Sequence, residues 1–184
     1  MINRNEAIVI LKKYLRIEDN IKYSLAVEAV IREIAKRLER DEEIWGLTGL
    51  LHKLDFEYTL NEPEKRGTIS AQILEGLIPN HAINAIKANN YIHTDYIPTT
   101  SLDKTLISVD AGIGLVLATI NKTSSKKITD ITLENVIEKF QDPNFTTNYN
   151  QNKIQLCDDI GFDLRHFFKL ILETLNQISE ELNL

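Results

Sequence analysis

The pair His52-Lys53 follows the apolar run from Leu47 to Leu51, and Asp55 comes two residues later. Imidazole and carboxylate are the usual ligands of catalytic divalent and transition ions. An ion held there would lower the pKa of a bound water and polarise a phosphoryl oxygen. Lys53 opposes that chemistry, because a protonated lysine has no lone pair to donate. An ammonium about 4 Å from a divalent ion, at an effective dielectric near 20, is repelled by about 8 kcal/mol. A rebuilt metal site would have to draw on His52, Asp55, Asp110 and His93. Other constellations are weaker. There is no glycine-rich phosphate loop, and Gly112-Ile113-Gly114 inside a helical pattern reads as a close-packing site. Cys157 has no neighbouring motif and reads as an inert thiol.

The elements that must carry these residues have a helical hydrophobic period nearly throughout. A first helix is expected over Asn5–Leu15, with Ile8, Leu11 and Leu15 on one face. A second is expected from Asp19 to about Arg40, burying Ile21, Leu25, Ile31, Ile34 and Leu38. Glu28/Arg32 and Glu33/Arg37 are i,i+4 pairs with the acid first, the better orientation. Asp41-Glu42-Glu43 places acids at the start of a third helix that runs to His52. Pro63 suits the first turn of the next helix, which Gly76 stops. Another helix runs from Pro79-Asn80 to Asn89, and Tyr91–Thr100 is a loop.

Ser101 is expected to cap a long apolar helix reaching Ile120. Thr132 caps a shorter one, broken at Asp142-Pro143-Asn144. A helix over Asn152–Ile160 ends at Gly161, a natural left-handed cap. Asp163 caps the last helix. Its seam is Leu164, Phe168, Ile171, Leu175, Ile178 and Leu182, spaced by four and three. Packing on the chain's own core is the preferred use of that seam, and a homodimer contact is the other. Asp55–Leu60 alternates weakly and reads as a loop. The fold class is all-α.

Several of these segments together resemble a known family. Leu50-Leu51-His52-Lys53-Leu54-Asp55-Phe56-Glu57 is similar to the segment that names the HD superfamily of metal-dependent phosphohydrolases, Leu-Leu-His-Asp-Ile-Asp-Tyr-Glu in many members. Lys22–Ala29, Pro63–Gly67 with Ala71–Leu74, Ala85–Asn90, Leu102–Lys104 with Val109–Ala111, and Val136–Phe140 resemble further family stretches. The resemblance covers nearly the whole chain. It implies a single HD-like helical bundle over 1–184, with a core of about 18–120 and C-terminal helices at 130–184 packing on it. It also implies a divalent or transition metal held by His, His-Asp and a further Asp.

Position by position, that ligand set is broken. The first family histidine falls on Tyr23, and the Asp of His-Asp falls on Lys53. Two further family histidines fall on Arg66 and Asn89. Only His52 and Asp110 are kept, so a residual metal would have those two alone. His81, His93 and His166 fall outside the motifs. The expected pocket is therefore Tyr23, His52, Lys53, Arg66, Asn89 and Asp110, without a catalytic residue or a cofactor. Lys53 would stand in for the ion, near Asp110, Tyr23 and His52, and link the same helices.

The bulk numbers set the remaining limits. The 184 residues are 43% hydrophobic and 26% charged, which is ordinary globular usage. A net charge of −6 disfavours general nucleic-acid binding, which needs a basic face. One cysteine allows no internal disulfide and fits a reducing compartment. No apolar run approaches the ~20 residues of a membrane span, so a cytoplasmic protein is expected.

Three functions compete. The first is a catalytically silent domain serving a structural or regulatory partner. The second is a metal-free module for a phosphate-containing small molecule, because Lys53 and Arg66 add positive charge where the family meets phosphates. The third is a phosphohydrolase acting on a nucleotide or other phosphate ester through a rebuilt site.

Overall fold

The computed structural model describes residues 1–146 and 150–184, with Thr146 described by its backbone alone. The chain is all-α, and no strand occurs among the described residues. No described helix is long and apolar enough to cross a membrane. The chain divides into two compact units, Met1–Leu106 and Ile107–Leu184, and the division falls within one continuous helix.

In the first unit α1 spans Arg4–Tyr14 and α2 spans Glu18–Arg37. A reciprocal capping box starts α1: the Asn3 side chain accepts from the Glu6 N–H, and the Glu6 carboxylate accepts from the Asn3 N–H. The buried face of α2 is Ala26, Val27, Val30, Ile31, Ile34 and Ala35. Ile31 and Ile34 are buried as expected, whereas Ile21, Leu25 and Leu38 are only half-buried. Small residues permit a closer partner than the large ones predicted.

That partner is α3, Glu42–Leu51, capped by Asp41. Its Gly46 and Gly49 face α2. A Cβ on Gly49 would stand 3.2 Å from the Glu28 Cα, and one on Gly46 would overlap the Arg32 guanidinium. Arg32 can therefore lie across Gly46 to reach Glu28 at 2.9 Å and Glu43 at 3.0 Å. Glu28, 2% exposed, also accepts a two-pronged contact from Arg4 at 2.7 and 2.9 Å. What reads as an i,i+4 surface pair is thus a buried carboxylate joining α1, α2 and α3. Glu33–Arg37 forms as the expected helix-surface pair at 2.9 Å.

After α3 the chain makes short 3-10 turns at Phe56–Tyr58 and Pro63–Lys65, then α4, Thr68–Leu74, and α5, Asn80–Ala88. The helix expected from Pro63 is therefore interrupted. Gly67, at φ 79°, breaks the path, and a Cβ there would stand 2.8 Å from the Ile86 carbonyl oxygen. Only glycine combines that backbone with so close an approach of α4 to α5. α6 spans Ser101–Asn121. Thr100 rather than Ser101 caps it: the Thr100 hydroxyl accepts from the Asp103 N–H, and Asp103 accepts from the N–H groups of Thr99 and Thr100.

The second unit continues α6 and adds α7, Leu133–Gln141, α8, Pro143–Thr146, α9, Gln151–Gln155, α10, Leu164–Gln177, and α11, Ser179–Leu182. Two predicted helices are shorter than expected. The one before Gly161 gives way to a 3-10 turn at Asp158–Ile160, and the last breaks at Ile178. Gly161 is left-handed at φ 90°, as its type predicted. The seam of α10 lies in the core: Phe168, Ile171 and Leu175 are fully buried, and Phe168 meets Phe140 of α7 at 5.9 Å. Gly112 is a close-packing site, since a Cβ would stand 2.9 Å from both Phe167 and Ile171. Cys157 is buried. Burial first, and then the charges of Asp158 and Asp163, push its thiol up to about 12, so it stays protonated.

Candidate functional site

The segment from His52 to Glu57 leaves the end of α3 and sends its side chains to four different partners. His52 is 2% exposed, and its Nδ1 lies 2.6 Å from the Gly49 carbonyl oxygen. With Nδ1–H donating there, a neutral ring carries its lone pair on Nε2. Lys53 turns back over α2, where its ammonium lies 4.1 Å from the centre of the Tyr23 ring and 5.5 Å from that of Phe56. The Arg66 guanidinium lies 4.9 Å from the same Phe56 ring. Tyr23, Lys53, Phe56 and Arg66 thus form a run of alternating rings and cations.

Each such contact contributes from about 0.5 kcal/mol where exposed to about 2 kcal/mol where desolvated. All four residues are half-buried. Both cations are held in place while part of each stays accessible. The Arg66 Nε is buried without a hydrogen-bond partner, and its Nη2 reaches the Thr59 carbonyl only at 3.5 Å. The aromatic contact therefore contributes much of what holds this guanidinium.

The two carboxylates of the segment serve helix ends. Asp55, 1% exposed, accepts from the N–H groups of Gly67 and Ser70, both at 2.8 Å, and its own N–H donates to the Ser70 hydroxyl at 3.1 Å. Gly67 precedes α4 and has no side chain to cap it, so Asp55 does this from outside the helix. Glu57 does the same for α2, whose N-cap, Ile17, has no polar side chain. It accepts from Arg16 N–H, Ile17 N–H and Asn20 Nδ2 at 2.9 to 3.1 Å. Burial pushes the Glu57 carboxyl up, but these hydrogen bonds outweigh it and hold the group below its ordinary value.

Of the residues predicted for the pocket, Tyr23, Lys53 and Arg66 come together around Phe56. His52 precedes Lys53 at the end of α3. Asn89 is the half-buried cap of α5. Its neighbour Asn90 ties that end of α5 to the Arg66 loop, donating to the carbonyls of Pro63 at 3.0 Å and Arg66 at 3.1 Å. Asp110 is half-buried on the part of α6 that belongs to the second unit. His93 is exposed and bonded to Asn90.

Phe56 and Glu57 lie in the His52 segment, but their roles were not assigned from the sequence. Phe56 had a usable signal, an aromatic within reach of two unexpected cations. Glu57 had none, because its partners lie about forty residues earlier in the chain.

The donor set does not fit a divalent ion. Among the described residues, no group of three or more His, Cys, Asp and Glu side chains is placed to hold one. Asp55 and Glu57 are committed to helix N-termini, and Lys53 adds an amine without a carboxylate's ligand oxygens to this segment. Comparison with protein-family models, with curated proteins and with solved structures gives no match for this chain.

Proposed function

We propose that this chain is a metal-free HD-like domain that binds a phosphate-bearing small molecule without hydrolysing it, and so acts as a regulatory rather than a catalytic component. The observation that carries this reading is the pair of half-buried cations flanking Phe56, with Lys53 over Tyr23 and Arg66 over Phe56 itself. A cation on a ring face keeps its charge and its N–H donors, and the fork of an arginine matches phosphate oxygens. The family resemblance supplies the ligand class, since the replaced positions are those that meet metal and phosphate in HD enzymes. The same charges that repel a divalent ion attract an anion. A lone buried cysteine fits a reducing compartment, and we place the protein in the cytoplasm.

The test is calorimetric titration with nucleoside mono-, di- and triphosphates in the presence of a chelator, beside phosphate-release assays across divalent ions. Saturable binding is expected, weakened about tenfold or more by Lys53→Ala and by Arg66→Ala, as expected for the loss of one charged hydrogen bond. Absence of binding to every nucleotide would sink the reading. Metal-dependent phosphate release that His52→Ala abolishes would replace it with a phosphohydrolase working through a rebuilt site.

A further inference from the structure

A second place in the first unit has the chemistry of a binding site, and it uses none of the residues above. A groove of about 360 Å³ lies between α4 and α5. One wall is Thr68, Ala71, Gln72 and Glu75, and the other is Asn80, Ile83, Asn84 and Lys87. Thr68, Ala71 and Gln72 share one face of α4 with Glu75 at its C-cap, and Asn80, Ile83, Asn84 and Lys87 are one stripe along α5. The two helices run in opposite directions. The Gly67 end of α4 lies against Ile86 and Lys87 at the far end of α5, and the short turn after Leu74 joins the other ends.

This antiparallel arrangement polarises the groove. Glu75 stands at the turn end beside Asn80. Lys87 stands at the open end beside Thr68. Between them Ala71 and Ile83 are buried at the base, and the walls carry the exposed amides of Gln72 and Asn84. Lys87 also donates to the hydroxyl oxygen of Tyr96 at 3.2 Å, a residue outside the groove's lining. The open end thus carries the one cationic side chain among the described lining residues, Lys87.

We propose that this groove binds a short linear peptide with free termini. Its α-ammonium would meet Glu75, and its carboxylate would meet Lys87. An amide side chain offers one acceptor and a pair of donors, the complement of a peptide group. Gln72 and Asn84 therefore suit a backbone lying along the floor. Length selects the ligand: from Asn80 to Lys87 α5 advances about 10 Å, and an extended chain covers that in about three residues.

Trialanine is the probe, titrated at millimolar concentration into the isotopically labelled protein and followed by proton–nitrogen correlation spectra. Saturable shifts are expected at the side-chain amides of Gln72 and Asn84. Glu75→Gln and Lys87→Gln should each weaken binding about fivefold or more without lowering the melting temperature, since both act at the groove's surface. N-acetyl-trialanine should reproduce the loss seen in Glu75→Gln, and trialanine amide the loss seen in Lys87→Gln. The proposal is overturned if no saturable shift appears. It is equally overturned if both charge variants bind as the parent does, or if the shifts gather around Tyr23, Lys53 and Arg66 instead.

Discussion

Asp55 is a charged residue that the fold has almost removed from solvent, and one of its oxygens receives two backbone N–H groups of the α4 start. Removing that oxygen strands two donors where water has poor access, and each costs about 1–3 kcal/mol. Asp55→Ala should therefore lower the unfolding free energy by about 2–4 kcal/mol, measured by urea denaturation. Asp55→Asn, which keeps one oxygen acceptor, should lose less. A loss below about 1 kcal/mol for the alanine variant would mean that the cap is not needed. His52 and Asp55 were legible as chemistry-bearing types, but the task of Asp55 was not. It depends on Gly67 and Ser70, and nothing local to Asp55 says that a helix twelve residues on will begin without a cap of its own. Lys53 was more legible, because its charge restricts what can stand nearby.

At the scale of elements, the helices follow from period and capping residues, and their breaks do not. Asn3/Glu6 and Thr132/Asn135 mark helix starts with purely local signals. α2 starts at an isoleucine cap, and its missing acceptor comes from Glu57 on a 3-10 turn. The small-residue face of α2 was likewise hidden, since its meaning lies in Gly46 and Gly49 of another helix.

The cap on α2 gives a pH prediction. A carboxyl held below its ordinary value in the folded chain contributes stability that is present above its unfolded value, 4.5, and is lost as pH falls through its folded one. Glu57→Gln should therefore be less stable than the parent near neutral pH. The difference should shrink as the pH drops below 4.5, followed by urea midpoints at stepped pH. A constant difference across that window would mean that the carboxylate does not cap the helix in solution.

Over the whole molecule, the all-α class was legible because a single period runs through nearly every segment. The division at Leu106 and Ile107 was not, because it falls inside an unbroken apolar helix that carries no linker composition. Each unit holds one natural reporter. Trp45, the only tryptophan, is buried in the first, and Cys157, the only cysteine, is buried in the second. Because α6 belongs to both, opening either unit removes support from the same helix. Trp45 fluorescence and Cys157 thiol labelling should therefore report coincident urea transitions. Two separated transitions would show that the halves of α6 on either side of Leu106 unfold separately, each with its own unit.

The position of Lys53 over Tyr23 has a magnetic consequence. Protons held above an aromatic face lie in the shielding region of its circulating electrons, and an ammonium 4.1 Å from the ring centre carries its neighbouring methylene there. The Lys53 ε-methylene resonances should appear upfield of those of the other lysines, and Tyr23→Leu should return them to the common position. A phosphate that draws the ammonium off the ring would do the same by degrees, so one pair of resonances would follow occupancy of the candidate site directly.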